Sequence, residues 1–376
     1  MSPRVAIAFA SICLTAAVAH ARRPPAPERR IKVTPWKQAS KLFHTDPRWL
    51  GGDDAYSVPL GKGKTLWLFG DSFIRTKVGQ PRMDAKFINN SIGIQHGLDP
   101  ARAKIDFGWG ADAKGGPASF FPGTQRSWLW PGGATRAGDG LLMFMMKVKK
   151  SKPVPGTPGA LGFEVIGAEA VHVANPTDPP AQWKRKTVRV SDKGLGVTVG
   201  SAGVMAHDGH VYAYSTKNGP KFGHEVYLVR WTESAAARGD LAKAEWWYGD
   251  QAGWRARAPR GQKPTALMKD GQAEFTVHYD AKAKQFVQVQ TFGMKRTTIG
   301  IRTAARPEGP WGAAQIVYKI PETKTPGVFA YAGKAHPWLR GSDLVLTYAT
   351  NTLDPKALAQ HPTIYYPQFA KLRVVE

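Results

Sequence analysis

Cysteine is almost absent from this chain of 376 residues, which limits the chemistry available to it. The single cysteine, Cys13, lies in an apolar N-terminal segment. We expect that segment to be removed, which leaves a mature chain without a disulfide, a thiolate metal site or a cysteine nucleophile. HExxH sequences, EF-hand loops and P-loops are also absent, and the ten histidines are scattered. The sequence therefore predicts no metal and no cofactor.

Long apolar runs are absent beyond the N-terminus. Arg4, the apolar residues 5–18 and the Ala-His-Ala sequence at 19–21 have the order of a secretory signal peptide. The run is too short and too rich in alanine to favour a stable membrane span, although a retained N-terminal anchor is the alternative. We expect a signal peptide over residues 1–21, no membrane span in the mature protein, and a secreted or periplasmic location.

Acidic residues are few in comparison with basic ones. The chain has 28 Asp and Glu residues against 52 Lys and Arg residues, a formal net charge of +24. A surplus of this size favours attraction to anionic surroundings, such as a cell-envelope surface. The basic residues are dispersed and no nucleic-acid-binding module accompanies them, so we expect no nucleic-acid partner.

Helical periodicity is also scarce, and only residues 233–244 have the alanine-rich pattern of a helix. A turn followed by an apolar, aromatic-rich strand instead occurs five times, at the spacing of four-stranded units. The sequence therefore predicts an all-β fold, a five-bladed β-propeller. A two-domain β-sandwich is the alternative, but it does not account for five copies of one unit. The copies are residues 61–69, 138–146, 207–215, 279–292 and 340–350.

Four tryptophans follow strands of these units, and we expect them to pack between blades. A Pro/Arg-rich leader over residues 22–40 precedes a single propeller domain over residues 41–376. The last strand, residues 370–375, is expected to close the ring against the first blade. The chain is expected to be a monomer. The tryptophans are Trp109, Trp183, Trp246 and Trp311.

The segment GGDDAYSVPLGKGKTLWLFGDSF, residues 51–73, carries the candidate chemistry. Its two apolar runs predict a hairpin about a Lys-Gly turn at 62–63. A two-residue turn places Asp54 opposite Asp71, whereas a shift of one residue places Asp53 opposite Asp71. Either register gathers carboxylates at one end of the hairpin, with Cβ atoms roughly 4.5–8 Å apart.

Two carboxylates at that range are typical of glycosidic bond cleavage, in which one stays ionised while its neighbour is protonated. The alternative is that either Asp caps a turn or pairs with Arg75. The order Gly70, Asp71, Ser72 after an apolar strand also resembles the nucleophile block of GDS-type esterases. Those enzymes need alternating helices and a late DxxH sequence, which this chain lacks.

Polar and aromatic residues near the starts of other units are candidates for the walls of a sugar site. Asparagine and glutamine side chains would bind sugar hydroxyls, and Trp130 would stack on a sugar ring, although packing between blades is its alternative. Glu274 is either a third carboxylate or a structural acid, and His336 is either structural or faces the mouth. The candidate binding residues are Asn89, Asn90, Gln95, Trp130, Glu274 and His336.

The segments GGDDAYSVPL, GKTLWLFGDSFI, NNSIGIQ, LWPGG and YAGKAHP resemble domain of unknown function 4185, associated with glycoside hydrolase family 183. The likeness runs from about residue 49 to residue 351. It implies a five-bladed propeller that cleaves, as an endo-D-arabinofuranase, the D-arabinan of mycobacterial arabinogalactan and lipoarabinomannan. The paired aspartates of the family fall on Asp53 and Asp71, and Asp54 occupies a variable position. The other hypotheses are a non-catalytic carbohydrate-binding propeller of the envelope and a secreted esterase that uses Ser72.

Overall fold

The computed structural model describes residues 30–153, 162–219, 223–293 and 297–375. These residues form a five-bladed β-propeller, which confirms the predicted fold class. The expected signal peptide, residues 1–21, and residues 22–29 of the expected leader lie outside the described residues. Within the described ranges, no helix is long and apolar enough to span a membrane.

Each blade is an antiparallel sheet whose strands follow one another from the inside of the ring outwards. Blade 1 contains β2 (Trp49–Gly61), β3 (Lys64–Ile74), β5 (Ser91–His96) and β6 (Lys104–Gly108), with β4 (Lys86–Ile88) also paired to β3. Blade 2 contains β9 (Trp128–Ala137), β10 (Gly140–Lys150), β11 (Phe163–Val173) and β12 (Arg185–Arg189). Blade 3 contains β13 (Val204–His207), β14 (His210–Asn218), β15 (His224–Thr232), β16 (Glu245–Trp247) and β17 (Trp254–Arg255), with β18 (Met268–Gly271) also paired to β15.

Blade 4 contains β19 (Thr276–Asp280), β20 (Gln285–Phe292), β21 (Thr298–Ala304) and β22 (Gln315–Lys319). Blade 5 contains β23 (Val328–His336), β24 (Leu344–Thr352), β25 (Gln368–Val375) and β1 (Arg30–Pro35). A separate hairpin joins β7 (Gly110–Ala111) to β8 (Pro117–Ala118). The short helices are α1 (Lys37–Ser40), α2 (Glu233–Ala237), α3 (Gly249–Ala252) and α4 (Pro355–Gln360), and single 3-10 turns lie at Lys41–His44, Arg82–Asp84, Pro180–Gln182 and Pro321–Lys324.

The repeated segments of the sequence correspond to one position in every blade. They are the second strands β3, β10, β14, β20 and β24. The ring closes in blade 5, where β1 pairs with β25 from Arg30 and Val375 to Pro35 and Ala370. Residues 30–40 of the expected leader therefore lie within the propeller. The prediction that the last strand pairs with the first blade is wrong, because β25 is occupied on both sides by β24 and β1.

The predicted helix over residues 233–244 is much shorter in the structure. Thr232 caps its start by accepting a hydrogen bond from the Ala235 amide, and α2 ends at Ala237. Gly239 follows in the left-handed region with φ of +63°. A Cβ at Gly239 would lie 2.7 Å from the ring of His172. The chain turns away there because only glycine fits both the conformation and the space.

Of the six hydrophobic clusters formed by the described residues, five lie between neighbouring blades. Trp183 is buried between blades 1 and 2, and Trp246 between blades 2 and 3. Trp109 and Trp311 are half-buried and pack against two further clusters. The predicted role of these tryptophans is confirmed. Close packing between blades holds the strand ends around the axis in fixed positions.

Candidate active site

The β2–β3 hairpin places Asp53 beside Asp71 through an irregularity in its register. Gly61 pairs with Lys64 across the predicted turn, and further along Gly52 pairs with Ser72 while Asp54 pairs with Phe69. Asp53 in β2 therefore lies opposite two residues of β3, Gly70 and Asp71. Such a bulge re-aims side chains at a strand end. Of the two registers that the sequence left open, the one that brings Asp53 to Asp71 is closer to the structure.

The backbone around Asp53 is shaped for its carboxylate. Asp54 and Ala55 have φ of +70° and +60°, a conformation that L-residues adopt only when their surroundings enforce it. A Cβ at Gly70 would collide with Asp53 Oδ1, so glycine is needed opposite the acid. The local strain and the missing side chain together make room for one carboxyl group at the mouth of the propeller.

Asp53 is held by two tyrosine hydroxyls of blade 5, one from β23 and one from the loop between α4 and β25. Tyr331 donates a hydrogen bond of 2.7 Å to Asp53 Oδ2, and Tyr365 lies 3.5 Å from the same oxygen. Burial raises the pKa of Asp53 well above its usual value, and the charges of Asp71 and Glu274 raise it further. The hydrogen bond from Tyr331 opposes these effects only in part. Asp53 therefore favours its protonated form.

Asp71 is held by nitrogen donors from blades 1 and 2. Trp130 Nε1 donates a hydrogen bond of 2.7 Å to Asp71 Oδ1, and Asn89 Nδ2 donates to the same oxygen over 3.2 Å. Burial raises the pKa of Asp71 to about 7, while the two hydrogen bonds lower it. Since an indole N–H can only donate, this contact favours the ionised carboxylate. Asp71 is thus poised to change its charge near neutral pH.

A buried lysine joins two further carboxylates below this pair. Lys334, in β23, is completely buried and donates to Asp54 Oδ1 over 2.6 Å and to Glu274 Oε2 over 3.2 Å. Its Nζ also lies 4.1 Å from the ring centroid of Tyr56. The predicted third carboxylate, Glu274, therefore does lie in the cluster, where its charge raises the pKa of Asp53. One ammonium group here faces several acids, so not all of them can be ionised at low cost.

Three predicted wall residues belong to the site. Asn89 and Trp130 are half-buried at the mouth and bind Asp71 directly. Glu274 reaches Lys334 with its side chain still 21% exposed. Trp130 holds the carboxylate through its ring nitrogen, while its ring packs against Phe163 at a centroid distance of 4.7 Å. Its expected stacking on a sugar ring stays a prediction.

The structure does not bring Asn90 or Gln95 into the site. Asn90 is fully buried and binds the backbone of Phe121 through both amide atoms, as well as the carbonyl of Leu129. Gln95 is fully buried inside blade 1, where it accepts from Trp67 Nε1 over 2.8 Å and donates to the Gly97 carbonyl. Both amides bind protein groups and are shielded from the mouth. Their predicted contact with sugar hydroxyls is therefore wrong.

His336 and Ser72 are also structural. His336 is fully buried between Ser57 Oγ at 2.5 Å and Thr347 Oγ1 at 2.7 Å, and burial holds its pKa well below the usual value. It does not face the mouth. Ser72 is fully buried, donates to the Gly70 carbonyl and shares a hydrogen bond with Ser91 Oγ. A nucleophile must be exposed and activated by a base, so this environment contradicts the esterase hypothesis.

Sequence reasoning missed the groups that support the acids. Tyr331 and Lys334 both lie in the YAGKAHP segment, whose lysine interrupts an otherwise small and apolar strand. That interruption was a usable signal for a buried charge, because lysine is almost never fully buried without a partner. Asp54, which the resemblance places at a variable position outside the catalytic pair, is closer to Lys334 Nζ than Glu274 is. Tyr365 lies in an irregular loop and gave no comparable signal.

Comparisons with known proteins extend over nearly the whole chain. A family model described as Domain of unknown function (DUF5005) matches residues 37–374. A putative hydrolase from Bacteroides ovatus ATCC 8483 superposes with a TM-score of 0.67 at 18% identity and covers 93% of each chain, a likeness that supports the fold.

Two further solved structures have lower similarity. The catalytic domain of a GH62 α-L-arabinofuranosidase from Coprinopsis cinerea has a TM-score of 0.43 at 13% identity, with coverage of 92% of this chain and 96% of that one. An α-L-arabinofuranosidase from Lactobacillus brevis has a TM-score of 0.46 at 12% identity, with coverage of 88% and 92%. No curated protein matches the sequence significantly.

Proposed function

This chain belongs to the family described as domain of unknown function DUF5005, and we propose that it is a glycoside hydrolase whose chemistry is carried out by Asp53 and Asp71. The observation that carries the proposal is the pairing of these two carboxyl groups at the propeller mouth, both with raised pKa values. Groups of this kind, in a mouth lined by aromatic and amide side chains, are suited to glycosidic bond cleavage.

The contacts of the two acids suggest different roles for them. Asp53 Oδ2 and Asp71 Oδ1 are engaged by protein donors, so the other oxygen of each group is left for substrate. The partners of Asp53 are hydroxyls, which can accept a hydrogen bond from a protonated carboxyl group as well as donate one to it. Those of Asp71 are N–H donors, which favour the anion. We assign the proton to Asp53 and the charge to Asp71.

In the proposed reaction, Asp53 gives its proton to the leaving oxygen as the bond from that oxygen to the anomeric carbon breaks. Asp71 stabilises the positive charge that develops on the sugar, either by bonding to the anomeric carbon or by taking a proton from the attacking water. Water supplies the hydroxyl group of the new reducing end in both cases. The charge on Glu274 helps to keep Asp53 protonated before the step.

We propose D-arabinan as the substrate and internal cleavage as the mode of attack. The resemblance of the segments that contain Asp53, Asp71, Asn89 and Lys334 to an endo-D-arabinofuranase family supports this choice. The signal-like residues 1–21 and the net charge of +24 support a secreted or periplasmic enzyme that acts at an anionic envelope. The protein would thus meet a cell-wall polysaccharide outside the cytoplasm.

The test is to incubate the purified mature chain with mycobacterial arabinogalactan and to measure reducing ends and oligosaccharide lengths. We expect oligosaccharides from wild type, and a loss of more than about 10³-fold in rate for Asp53→Asn and for Asp71→Asn. L-arabinan, xylan and an acidic polysaccharide serve as comparison substrates. Binding to arabinogalactan without release of any reducing end would reject catalysis and favour the carbohydrate-binding propeller. Full activity in both Asn variants would reject the assigned residues.

A further inference from the structure

A cleft is lined by Asn89, the side chain that donates a hydrogen bond to Asp71. Its volume is about 440 Å³, within the range of small-molecule sites. The β7–β8 hairpin forms one wall, the loop over residues 122–128 forms another, and β12 contributes its first residue. The lining side chains used below are Asn89, Ser119, Phe120, Thr124, Trp128 and Arg185.

The cleft shares a wall with the carboxylate pair. Asn89 lines the cleft, and its Nδ2 donates to Asp71 Oδ1 while its backbone amide donates to Ser119 Oγ over 3.1 Å. Trp128 lines the cleft and packs edge-on against Trp130, the second donor to Asp71, at a centroid distance of 5.8 Å. Asn89 and Trp128 therefore connect the lining of the cleft to the groups that hold Asp71.

The lining combines flat apolar surfaces with hydrogen-bond donors. Phe120 and Trp128 supply the aromatic surfaces. The Arg185 guanidinium lies 5.0 Å from the Phe120 ring centroid and donates to the Phe120 carbonyl over 3.1 Å, which fixes its position while the group remains exposed. Among the described residues, no carboxylate lines the cleft. Aromatic faces with a few oriented polar groups suit the C–H face and the hydroxyls of a neutral sugar.

A second cavity continues from the first and indicates a ligand longer than one unit. Its volume is about 550 Å³, and it shares Gly110, Phe120 and Arg185 with the cleft. From there it follows the flank between blades 1 and 2 as far as Trp109 and Pro179. The two cavities thus adjoin each other, and Asn89 links the first of them to Asp71.

We propose that this cleft binds sugar residues of the same polysaccharide chain whose glycosidic bond lies between Asp53 and Asp71. This inference rests on the proposed function and makes it more specific. A chain held by several of its units on one side of the scissile bond binds more tightly than a shorter chain, because each further unit adds contacts. The aromatic cleft therefore accounts for a preference for long chains, which bind in a groove that begins at Asn89.

The test blocks the cleft without touching the carboxylates. Ala111 is exposed, lines the cleft and belongs to β7, so Ala111→Trp fills the space. Ala113→Trp places the same side chain on the exposed turn of the same hairpin, outside the cleft, and is the matched control. Thr124→Trp blocks the cleft from the opposite wall and keeps the test decisive if one variant folds poorly.

Binding is measured by calorimetry in the inactive Asp71→Asn background, with arabinofuranose oligosaccharides of two to about eight units. We expect Ala111→Trp and Thr124→Trp to lose at least about tenfold in affinity for the longer chains, with a loss that grows with length, whereas Ala113→Trp binds as the parent does. In the active background the blocked variants should release fewer oligosaccharides from the polymer. Equal affinities in the blocked variants and the control, or no binding by the parent, would overturn the proposal that the cleft binds sugar residues.

These outcomes separate the two proposals. If wild type cleaves arabinogalactan but the blocked variants bind long chains normally, the proposed role of the cleft is wrong and the proposed hydrolase activity is supported. If wild type releases no reducing ends but the blocked variants lose affinity, the proposed hydrolase activity is wrong and the cleft is confirmed as a glycan-binding site.

Discussion

Trp130 in blade 2 donates a hydrogen bond of 2.7 Å through its ring nitrogen to Asp71 in blade 1. The contact crosses the boundary between two blades, so the position of the carboxylate depends on how the blades pack. It also acts on the charge, because an N–H donor lowers the pKa that burial raises. A single ring thus both positions Asp71 and sets the pH range over which it is ionised.

The first prediction concerns Trp130→Phe, which keeps an aromatic ring but removes the donor. The pKa of Asp71 should rise above its value of about 7, so the acidic limb of the pH–rate profile moves to higher pH. At pH 6 we expect kcat/KM to fall about tenfold, with partial recovery at pH 8. Trp128→Phe is the control, because the ring nitrogen of Trp128 has no hydrogen-bond partner among the described residues. An acidic limb that moves equally in both variants would contradict the assignment.

The second prediction separates two adjacent asparagines. Asn90→Ala removes three buried hydrogen bonds to the backbone of Phe121 and Leu129 and should cost about 2–4 kcal/mol of unfolding free energy. Asn89→Ala removes a partly exposed contact to Asp71, so it should cost less than about 1 kcal/mol but lower kcat/KM about tenfold. Urea unfolding and arabinan cleavage measure the two effects. If Asn89→Ala lost more unfolding free energy than Asn90→Ala, and Asn90→Ala lost more activity, then Asn89 would be the structural residue and Asn90 the one that supports catalysis.

The sequence was sufficient for features that depend on local pattern. Strand alternation and glycine turns at regular spacing predicted the blades, and the Lys62–Gly63 turn predicted the hairpin that carries both acids. These features depend on residues a few positions apart, where propensity and turn chemistry act directly. The pairing of Asp53 with Asp71 could therefore be proposed from the sequence, although the register could not be chosen.

The remaining features depend on contacts between distant residues. The register of the β2–β3 hairpin shifts between Pro59 and Gly61 and again around Asp53, and no local pattern in the sequence marks these shifts, so the register stayed open. Lys334 meets Asp54 across 280 positions, and no local pattern reports such a contact. Analogy between blades places His336 at the mouth. An irregularity between Tyr331 and Lys334 changes the alternation of β23, however, and His336 lies buried.

The third prediction concerns the buried ion cluster. Lys334→Met leaves Asp54 and Glu274 without their cation, and an uncompensated buried charge should cost about 3–5 kcal/mol of unfolding free energy. Adding Asp54→Asn removes one of the stranded charges and should restore part of the loss. Lys147→Met, which breaks a partly exposed pair with Glu169, should cost less than about 1 kcal/mol and is the control. Equal effects of the two lysine substitutions, measured by urea unfolding, would argue against a charged cluster.

The fourth prediction follows from the raised pKa of Asp71. An aspartate has a pKa of roughly 3.9 in the unfolded chain, and that of Asp71 in the folded protein is about 7. Between these values the folded state binds more protons, so the group costs stability as the pH rises from about 4 to about 7. Asp71→Asn removes this cost and keeps an oxygen for Trp130 and Asn89. The variant should therefore be inactive but more stable than wild type above pH 7.

The size and the pH dependence of that gain distinguish it from a general effect of the substitution. We expect about 1–3 kcal/mol at pH 8, decreasing towards zero at pH 4, from urea unfolding of both proteins at each pH. Asp139→Asn, on the exposed turn between β9 and β10, should show no such trend. A gain that is the same at pH 4 and pH 8 would reflect some other property of asparagine. A gain confined to high pH would show that the protein gives up stability to keep an ionisable carboxyl group in a buried position. An acid–base residue needs such a group, whereas a structural residue does not.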